Sequence, residues 1–578
     1  MYIILYHATE KQWYQFHSVI ESITAMNTDQ VLPALAEIEN RVEKENLFAA
    51  GYLTYEAAPA FDPHYKVHSG SPLPCLRFGL FREPERLDTL PFTGDNEYSL
   101  TSWRYDIDQR EYQAAISRIK SEIRQGNTYQ VNYTFPLYAQ FKGDHRSLFY
   151  HMALSQDSGY AALIEDGPYV ICSASPELFF SLNGNVLVSK PMKGTARRGL
   201  TTPDDMNARR QLYNSEKDRA ENIMITDMIR NDMGHIAEYG SVTVPAMFET
   251  ERYPTVWQMT STVRAQTRAS ITDIFRALFP CSSITGAPKV STMGIIHELE
   301  KGPRGIYTGS IGYLAPNRQA QFNVAIRTME MDLKTGQAAY HVGSGVVWDS
   351  DPQAEYHECL LKAKVVRNKH VPFQLLETML WEPGSGYFLP DLHLARLLNS
   401  ALYFDYKADP VLIKAQLDEQ AAALTAPTRV RLLLDVDGSM EIQCYPLEPG
   451  TGEPVIVHLA NGPVHSSTVW LYHKTTRREV YDNQLDKHSM HDDVILYNEY
   501  DDITEGCLHN VVVKIDDKLC TPPVSSGLLA GTFREHLLKQ GEITERTISI
   551  EEFVQAEEIW LINSVRKWRR VDQVEWGG

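Results

Sequence analysis

Three stretches of this 578-residue chain carry residue types whose spacing could do chemistry. The first is SKPMKGTARRG, residues 189–199, which places Lys190, Lys193, Arg197 and Arg198 together. Pro191, Gly194 and Gly199 interrupt any helix that could display these cations as a plain solvated face. Lys193 is therefore expected in a turn where the apolar run Val186, Leu187, Val188 ends, a place where a reactive side chain gains rigid support. An isolated basic turn is ordinarily a surface feature, so this reading depends on the other two stretches. FPCSSITGAPKVSTMGII, residues 279–296, is a Gly/Pro-punctuated loop running into a helix. Through Thr285, Gly286 and Lys289 it can set N–H groups and a cation against a carboxylate. The third stretch puts Glu355, Glu358 and Lys362 at i, i+3 and i+7, on one helix face. Two carboxylates so placed repel unless a cation intervenes, and Mg²⁺ is typically held by one or two carboxylates while keeping water and substrate oxygens.

These side chains need a scaffold, and the pattern supplies one. Tyr112, Ile116, Ile119 and Ile123 recur at helical spacing from Asp108 to Gln125, with Gly126 and Asn127 as a stop signal. YQVNYTFPLYA, with Gln130 and Asn132, reads as a strand. Residues 217–236 read as an amphipathic helix through Ile225, Met228 and Ile229, and they carry Glu221. RGIYTGSIGYL and VAIRTM are expected strands bearing Tyr307 and Arg327, whose planar fork suits a carboxylate. A glycine turn is expected at Gly343 to Gly345, then a short strand, then caps at Ser350 and Asp351 with Pro352 in the first helical turn. FAAGYLTYEAAPAF and CLRFGLF give two earlier strands, with Tyr55 and Glu56 read as structural.

Composition narrows the classes. With 43% hydrophobic and 22% charged residues, the chain is ordinary globular protein of two to four domains. A formal net charge of −19 argues against nucleic acid or an anionic membrane surface as the main partner, so any anion site must be local. Seven cysteines with no CxxC pair point to reduced thiols. MYIILYHATE lacks the form of a signal peptide, and no apolar run reaches membrane-spanning length, so a cytoplasmic protein is expected.

The motifs also resemble a known family, the chorismate-utilising enzymes. P-x-[A/K]-G-T matches Pro191 to Thr195, and S-P-E matches Ser175, Pro176 and Glu177. Members that aminate the fourth ring carbon, the component I branch of aminodeoxychorismate synthases, have lysine where anthranilate synthases have alanine; here it is Lys193. The resemblance implies Lys193 as nucleophile and Glu177 as acid/base. It implies Glu221 and Glu358 as direct Mg²⁺ ligands with Glu355 acting through water, and substrate contacts from Thr285, Tyr307, Arg327, Gly343, Gly345 and Lys362. Where relatives often carry a histidine this chain has Gln258, so that residue's role does not transfer. The implied fold is α/β (α+β): a chorismate-binding domain of two packed antiparallel sheets flanked by helices, residues 1–367. Within it 1–105 is an accessory part and 106–367 the catalytic core. The accessory part is shorter than in relatives that hold a regulatory tryptophan there.

NKHVP, residues 368–372, reads as a linker, and residues 373–578 resemble class IV aminotransferase-fold enzymes, of two α/β subdomains. H-x-x-R-L gives His393, Arg396 and Leu397, with Arg396 as a phosphate contact. WLYHKT reads as a strand presenting Lys474. A Schiff-base lysine must lose its proton, so it needs a desolvated or cation-rich site. Glu505 would sit beside the pyridine nitrogen of pyridoxal phosphate. GLLAGTFRE opens a helix whose N–H groups, with Thr532 and Phe533, would bind the cofactor phosphate. Asn563 and Ser564 match a T-N-S phrase, and the basic RKWRR follows where relatives are apolar.

Joined, the halves imply amination of chorismate with ammonia to 4-amino-4-deoxychorismate, then release of pyruvate to leave 4-aminobenzoate, a folate precursor. No G-x-C-x-G glutaminase signature is present, so ammonia would come from a separate amidotransferase subunit or from solution. A homodimer through the C-terminal domain is among the expectations. The rivals are an anthranilate-type synthase fused to a branched-chain or D-amino acid aminotransferase, a C-terminal domain that is only structural, and a non-catalytic scaffold for the amidotransferase.

Overall fold

The computed structural model describes residues 1–447 and 454–576. The chain divides into two compact units, one of Met1–Arg197 with Arg209–His370, the other of Arg198–Ala208 with Val371–Gly578.

The first unit is built on an 11-stranded and a 10-stranded sheet, and every registered pair in them is antiparallel. The sheets pack face to face. One apolar cluster joins Ile3, Leu5, Ile164 and Ile171 of the larger sheet to Ala50, Tyr52, Ile311 and Tyr313 of the smaller. The N-terminal stretch is woven into both: Tyr2–His7 lies in the first sheet, while Glu21–Ala25, Phe48–Leu53 and Leu76–Phe81 lie in the second.

The helix Gln109–Arg124 forms as its spacing predicts, burying Tyr112, Ile116 and Ile119. Asp108 and Glu111 close its first turn reciprocally: Asp108 Oδ1 accepts from Glu111 N at 2.8 Å, and Glu111 Oε2 accepts from Asp108 N at 3.0 Å. The helix Pro352–Val365 starts on Asp351, whose carboxylate accepts from the N–H groups of Gln353 and Ala354.

In the second unit, Gly386–Tyr387, Leu375–Glu382, Thr428–Leu434 and Met440–Pro446 make a four-stranded sheet against the helix Pro390–Phe404. A second four-stranded and a five-stranded sheet form the rest. Arg198 of the basic stretch is buried here, paired with Asp205 at 2.6 Å and lying over the Tyr403 ring at 3.9 Å. No helix among the described residues is long and apolar enough to cross a membrane. Replacing Asp108 with Ala should cost the first unit about 1 kcal/mol, read by calorimetry as a lowered unfolding transition. An unchanged transition would mean that the reciprocal cap carries no weight.

Candidate active sites

Lys193 lies in a strand, not in the expected turn. Met192–Arg197 pairs with Val256–Gln266, and a register shift between Met192 and Thr195 lets Gly194, at φ +100°, bulge without ending the ladder. The glycine turn is corrected likewise: Gly343 and Gly345 are inside the strand Gln337–Val346, opposite Thr134 and Asn132. Tyr307 and Arg327 fall just outside the strands expected to hold them. Tyr307 precedes Ser310–Ala315, and Arg327, at φ +50°, occupies the break between Gln319–Val324 and Thr328–Asp332.

The Lys193 amine lies 3.6 Å from Glu221 Oε2, with both side chains more than four-fifths buried. A Cβ at Gly345 would stand 2.5 Å from Lys193 Nζ and 3.1 Å from Gln130 Nε2, so this position must be glycine for the lysine to cross the strand. Gln130 is fully buried, and neither its amide oxygen nor its nitrogen finds a hydrogen-bond partner among the described residues. Thr285 Oγ1 is buried and unpartnered too. Orphaned polar groups are uncommon in finished interiors, and the Gln130 amide is one that lies beside a lysine.

Glu177 is buried, accepts a 2.6 Å hydrogen bond from Ser283 Oγ, and feels the charge of Lys193. Burial outweighs both and pushes its carboxyl up to about 7, so near neutral pH it can give or take a proton. Arg327 is half-buried, and burial lowers its guanidinium's affinity for its proton. Among the described residues it pairs with no carboxylate, donating instead to Gln156 Oε1 at 3.1 Å. The Tyr307 ring stacks on His341 at 5.3 Å.

The expected metal ligands are not gathered. Among the described residues no cluster of His, Cys, Asp or Glu is arranged to hold an ion. Glu221 faces Lys193, and Glu358 pairs with Lys362 at 2.7 Å, while Lys362 also donates to Gly343 O at 2.9 Å. Three carboxylates suit a divalent ion chemically, but as placed two of them, Glu221 and Glu358, are met by lysines.

In the second unit a cavity of about 800 Å³ brings together Arg396, Lys474, Glu505, Thr532, Phe533 and Ser564. Lys474 is not on the expected strand. It follows a single 3₁₀ turn, Val469–Leu471, and its segment meets the edge of the sheet through an isolated bridge at Thr475, a bond from Leu376 N to Lys474 O at 3.0 Å and one from Thr476 N to Gln374 O at 2.9 Å. Burial, reinforced by Arg396 and Arg478, lowers its amine to about 8. Arg396 pairs with Glu377 at 2.7 Å and donates to Ala530 O at 3.2 Å, which fixes it at the start of the helix Thr532–Gln540. Glu377 is itself buried, yet Arg396 and His393 hold it down to about 2.

Glu505 accepts from Tyr481 Oη at 2.8 Å, Leu529 N at 3.0 Å and Asn510 Nδ2 at 3.2 Å; burial raises it to about 8. The Phe533 ring packs in an apolar cluster with Leu537 and Ile562, so only its backbone is offered to a ligand. Ser564 Oγ donates to Thr378 O at 3.3 Å.

Residues 2–368 match the family model for chorismate binding enzyme, nearly two thirds of the chain. The chain belongs to that family. Residues 374–574 match amino-transferase class IV. The aminodeoxychorismate synthase component 1 of Escherichia coli (strain K12) is 36% identical over 275 residues, covering 47% of this chain and 60% of that protein. The probable chloroplastic aminodeoxychorismate synthase of Oryza sativa subsp. japonica is 40% identical over 274 residues, covering 46% and 30%. The chain thus spans between 30% and 60% of the curated relatives it matches. Anthranilate synthase component I from Streptococcus pneumoniae TIGR4 shares the fold, at TM-score 0.55 and 22% identity over 63% of this chain and 92% of that one.

A class IV enzyme implies pyridoxal phosphate, and the second cavity fits it. A lysine with a lowered proton affinity, an arginine at a helix N-terminus, and a buried carboxyl with no counter-charge in hydrogen-bonding reach suit the aldehyde, the phosphate and the protonated ring nitrogen.

Several supporting residues are beyond sequence reasoning. Ser283 is far from Glu177 in the chain, and Asn222, which donates to Lys193 O at 3.2 Å, looks like any polar helix residue. Arg304 is buried against Glu300 at 2.7 Å, and Glu300 in turn accepts from Thr134 N at 2.9 Å behind the site. Glu377 did leave a signal, an acid inside the apolar run LLETML.

Gly345→Ala should leave the melting temperature within about 3 °C, because only flexible side-chain ends are displaced, but lower any turnover that depends on Lys193 at least tenfold. Unimpaired turnover would show that Lys193 need not cross there. Glu177 provides a pH test. Its folded-state pKa exceeds the unfolded value, so its contribution to stability is whole at pH 4 and lost as pH rises through about 7. Glu177→Gln escapes that loss, and its stability relative to wild type should rise by roughly 3 kcal/mol between pH 4 and pH 8 in denaturant titrations. Parallel curves for the two proteins would contradict the buried-acid reading.

Proposed function

We propose that this chain makes 4-aminobenzoate in two steps at two sites: amination of chorismate to 4-amino-4-deoxychorismate in the first unit, then elimination of pyruvate in the second. The observation that carries the reading is the pair of buried lysines, each in its own unit beside a buried carboxyl of raised proton affinity. In the first site the Lys193 amine adds to the ring as the ring hydroxyl, protonated by Glu177, leaves as water; ammonia then adds, the bond to Lys193 breaks to return the free amine, and Glu177, poised near neutrality, takes back the proton that ammonia sheds. Arg327 and Tyr307 take a carboxylate; Thr285 and Gln130 offer their unpartnered polar atoms to the rest of the substrate. Mg²⁺ belongs to the same reading, with Glu221 and Glu358 as ligands and Glu355 through water. Glu358 would exchange Lys362 for the ion, and no step above is routed through it.

In the second site, pyridoxal phosphate would supply an electron sink for the carbon next to the amine. Lys474 holds the aldehyde end and moves the proton, Arg396 and the helix start at Thr532 hold the phosphate, and Glu505 faces the ring nitrogen. Ammonia is supplied from solution or by a separate amidotransferase subunit, since the component 1 relatives are named as one component of a synthase. The domain reading is 1–367, a linker at 368–372, and 373–578, in a cytoplasmic protein, although Arg198–Ala208 groups with the second compact unit.

The test is to incubate the purified chain with chorismate, ammonium and Mg²⁺, with and without added lyase, and to follow pyruvate and 4-aminobenzoate. Lys193→Ala should lower amination at least 100-fold while keeping the cofactor's visible band; Lys474→Ala should lose the band and accumulate the aminated intermediate. EDTA should stop the first step only. Formation of 4-aminobenzoate at wild-type rate by both variants would sink the two-lysine assignment.

A further inference from the structure

Glu505 is the buried acid of the second cavity, and the hydrogen bonds to its two oxygens are unequal. Oε1 accepts from Tyr481 Oη at 2.8 Å and from Leu529 N at 3.0 Å. Oε2 accepts, among the described residues, from Asn510 Nδ2 at 3.2 Å and from nothing else. A carboxylate oxygen offers two lone pairs, so Oε1 is filled and Oε2 keeps one open.

The three donors differ in kind. Leu529 N can only donate. Asn510 Nδ2 also donates to Leu529 O at 2.9 Å, which fixes the orientation of its amide. The Tyr481 hydroxyl is the one of the three that could turn round and accept. Burial, and after it the Glu505 charge, raises this phenol well above its ordinary range, so it keeps its own proton. At Glu505 burial favours the neutral acid, against the Lys474 and Arg478 charges, so where the carboxyl proton sits matters.

Tyr481 is firmly held. It is the residue that the helix Glu479–Lys487 buries, and that helix begins shortly after Lys474. Arg478 lies over the Tyr481 ring at 4.8 Å while donating to Cys507 O at 2.9 Å, and Cys507 Sγ donates to Tyr481 O at 3.6 Å. The phenol is thereby tied to the turn that follows Glu505.

We propose that Tyr481 is a positioning residue for the proton shared between Glu505 and the ring nitrogen of pyridoxal phosphate: by filling Oε1 it leaves Oε2 as that proton's seat. The step is a proton transfer alone, between Oε2 and the ring nitrogen, with no other bond made or broken. Without the hydroxyl, Oε1 has a lone pair free and the proton can lodge there. The ring nitrogen is then left bare, and a bare nitrogen is the weaker electron sink. The proposal rests on the cofactor reading of the second site and not on which reaction follows.

The test uses the full chain loaded with pyridoxal phosphate labelled with ¹⁵N in the ring, and reads the ring-nitrogen resonance. In the wild type it should lie at the protonated, pyridinium position. Tyr481→Phe keeps the ring volume and removes the hydroxyl; its resonance should move at least halfway to that of the unprotonated ring, and half-saturation of the visible band should need at least fivefold more cofactor. Tyr387→Phe deletes a hydroxyl that donates to Leu417 O at 2.8 Å elsewhere in the second unit, and should change neither. A pyridinium resonance that survives in Tyr481→Phe overturns the proposal, as does a wild-type ring that is already unprotonated. An equal shift in Tyr387→Phe overturns it too, since that marks a general loosening. If no cofactor band forms, the proposal falls with the cofactor reading. Pyruvate release from 4-amino-4-deoxychorismate is followed alongside, and Tyr481→Phe should lower kcat at least tenfold with KM within threefold. The expected resonances without pyruvate from the wild type sink the lyase assignment and leave the proton's seat on Oε2, while pyruvate release with an unmoved resonance sinks the proposal alone.

Discussion

The passage of the Lys193 side chain over Gly345 is the contact on which the first site depends. A lysine amine reaches Glu221 and the neighbourhood of Glu177 only because the strand beneath it has no Cβ at that one place. The rest follows from that clearance. The bulge at Gly194 aims the lysine across the gap, Asn222 pins its carbonyl, and Gln130 lies alongside with its amide unspent. A side chain at position 345 would compete for volume with the Lys193 amine and the Gln130 amide.

Around this contact the protein keeps charges under unequal constraint. Structural charges are fully paired: Arg304 with Glu300, Arg198 with Asp205, Glu377 with Arg396 and His393. Site charges are left short of partners: Arg327 meets only an amide, Thr285 and Gln130 meet nothing among the described residues, and Glu177 and Glu505 are raised toward neutrality by burial. A buried polar group without a partner costs stability, and Gln130, left so beside Lys193, is suited to completion by a ligand.

Much of this was legible in the sequence, and the failures share a cause. Helices were found because a 3.6-residue apolar period is local, as with Tyr112, Ile116 and Ile119. The fold class and the family followed from motifs whose order along the chain is preserved. Lys193 and Gly345 were misread because glycine and proline were taken as breakers, whereas antiparallel neighbours on both sides carried the ladder through them. Lys474 erred in the other direction: an apolar-aromatic run looked like a strand, but no neighbour was available beyond one bridge. Pairing is non-local, and so are Ser283 beneath Glu177 and Asn510 beside Glu505.

The two lysines also show why two units are used rather than one. Lys193 is faced by carboxylates, Glu221 directly and Glu177 through space. Lys474 is faced by cations, Arg396 and Arg478, in a buried cavity that lowers its hold on a proton. The lowered hold of Lys474 on its proton comes from burial first and from Arg396 and Arg478 second, whereas the Lys193 amine lies against the Glu221 carboxylate. Separate cores let each field be built from its own sheet and its own buried ion pairs. Each unit thus holds its own buried lysine in its own charged surroundings.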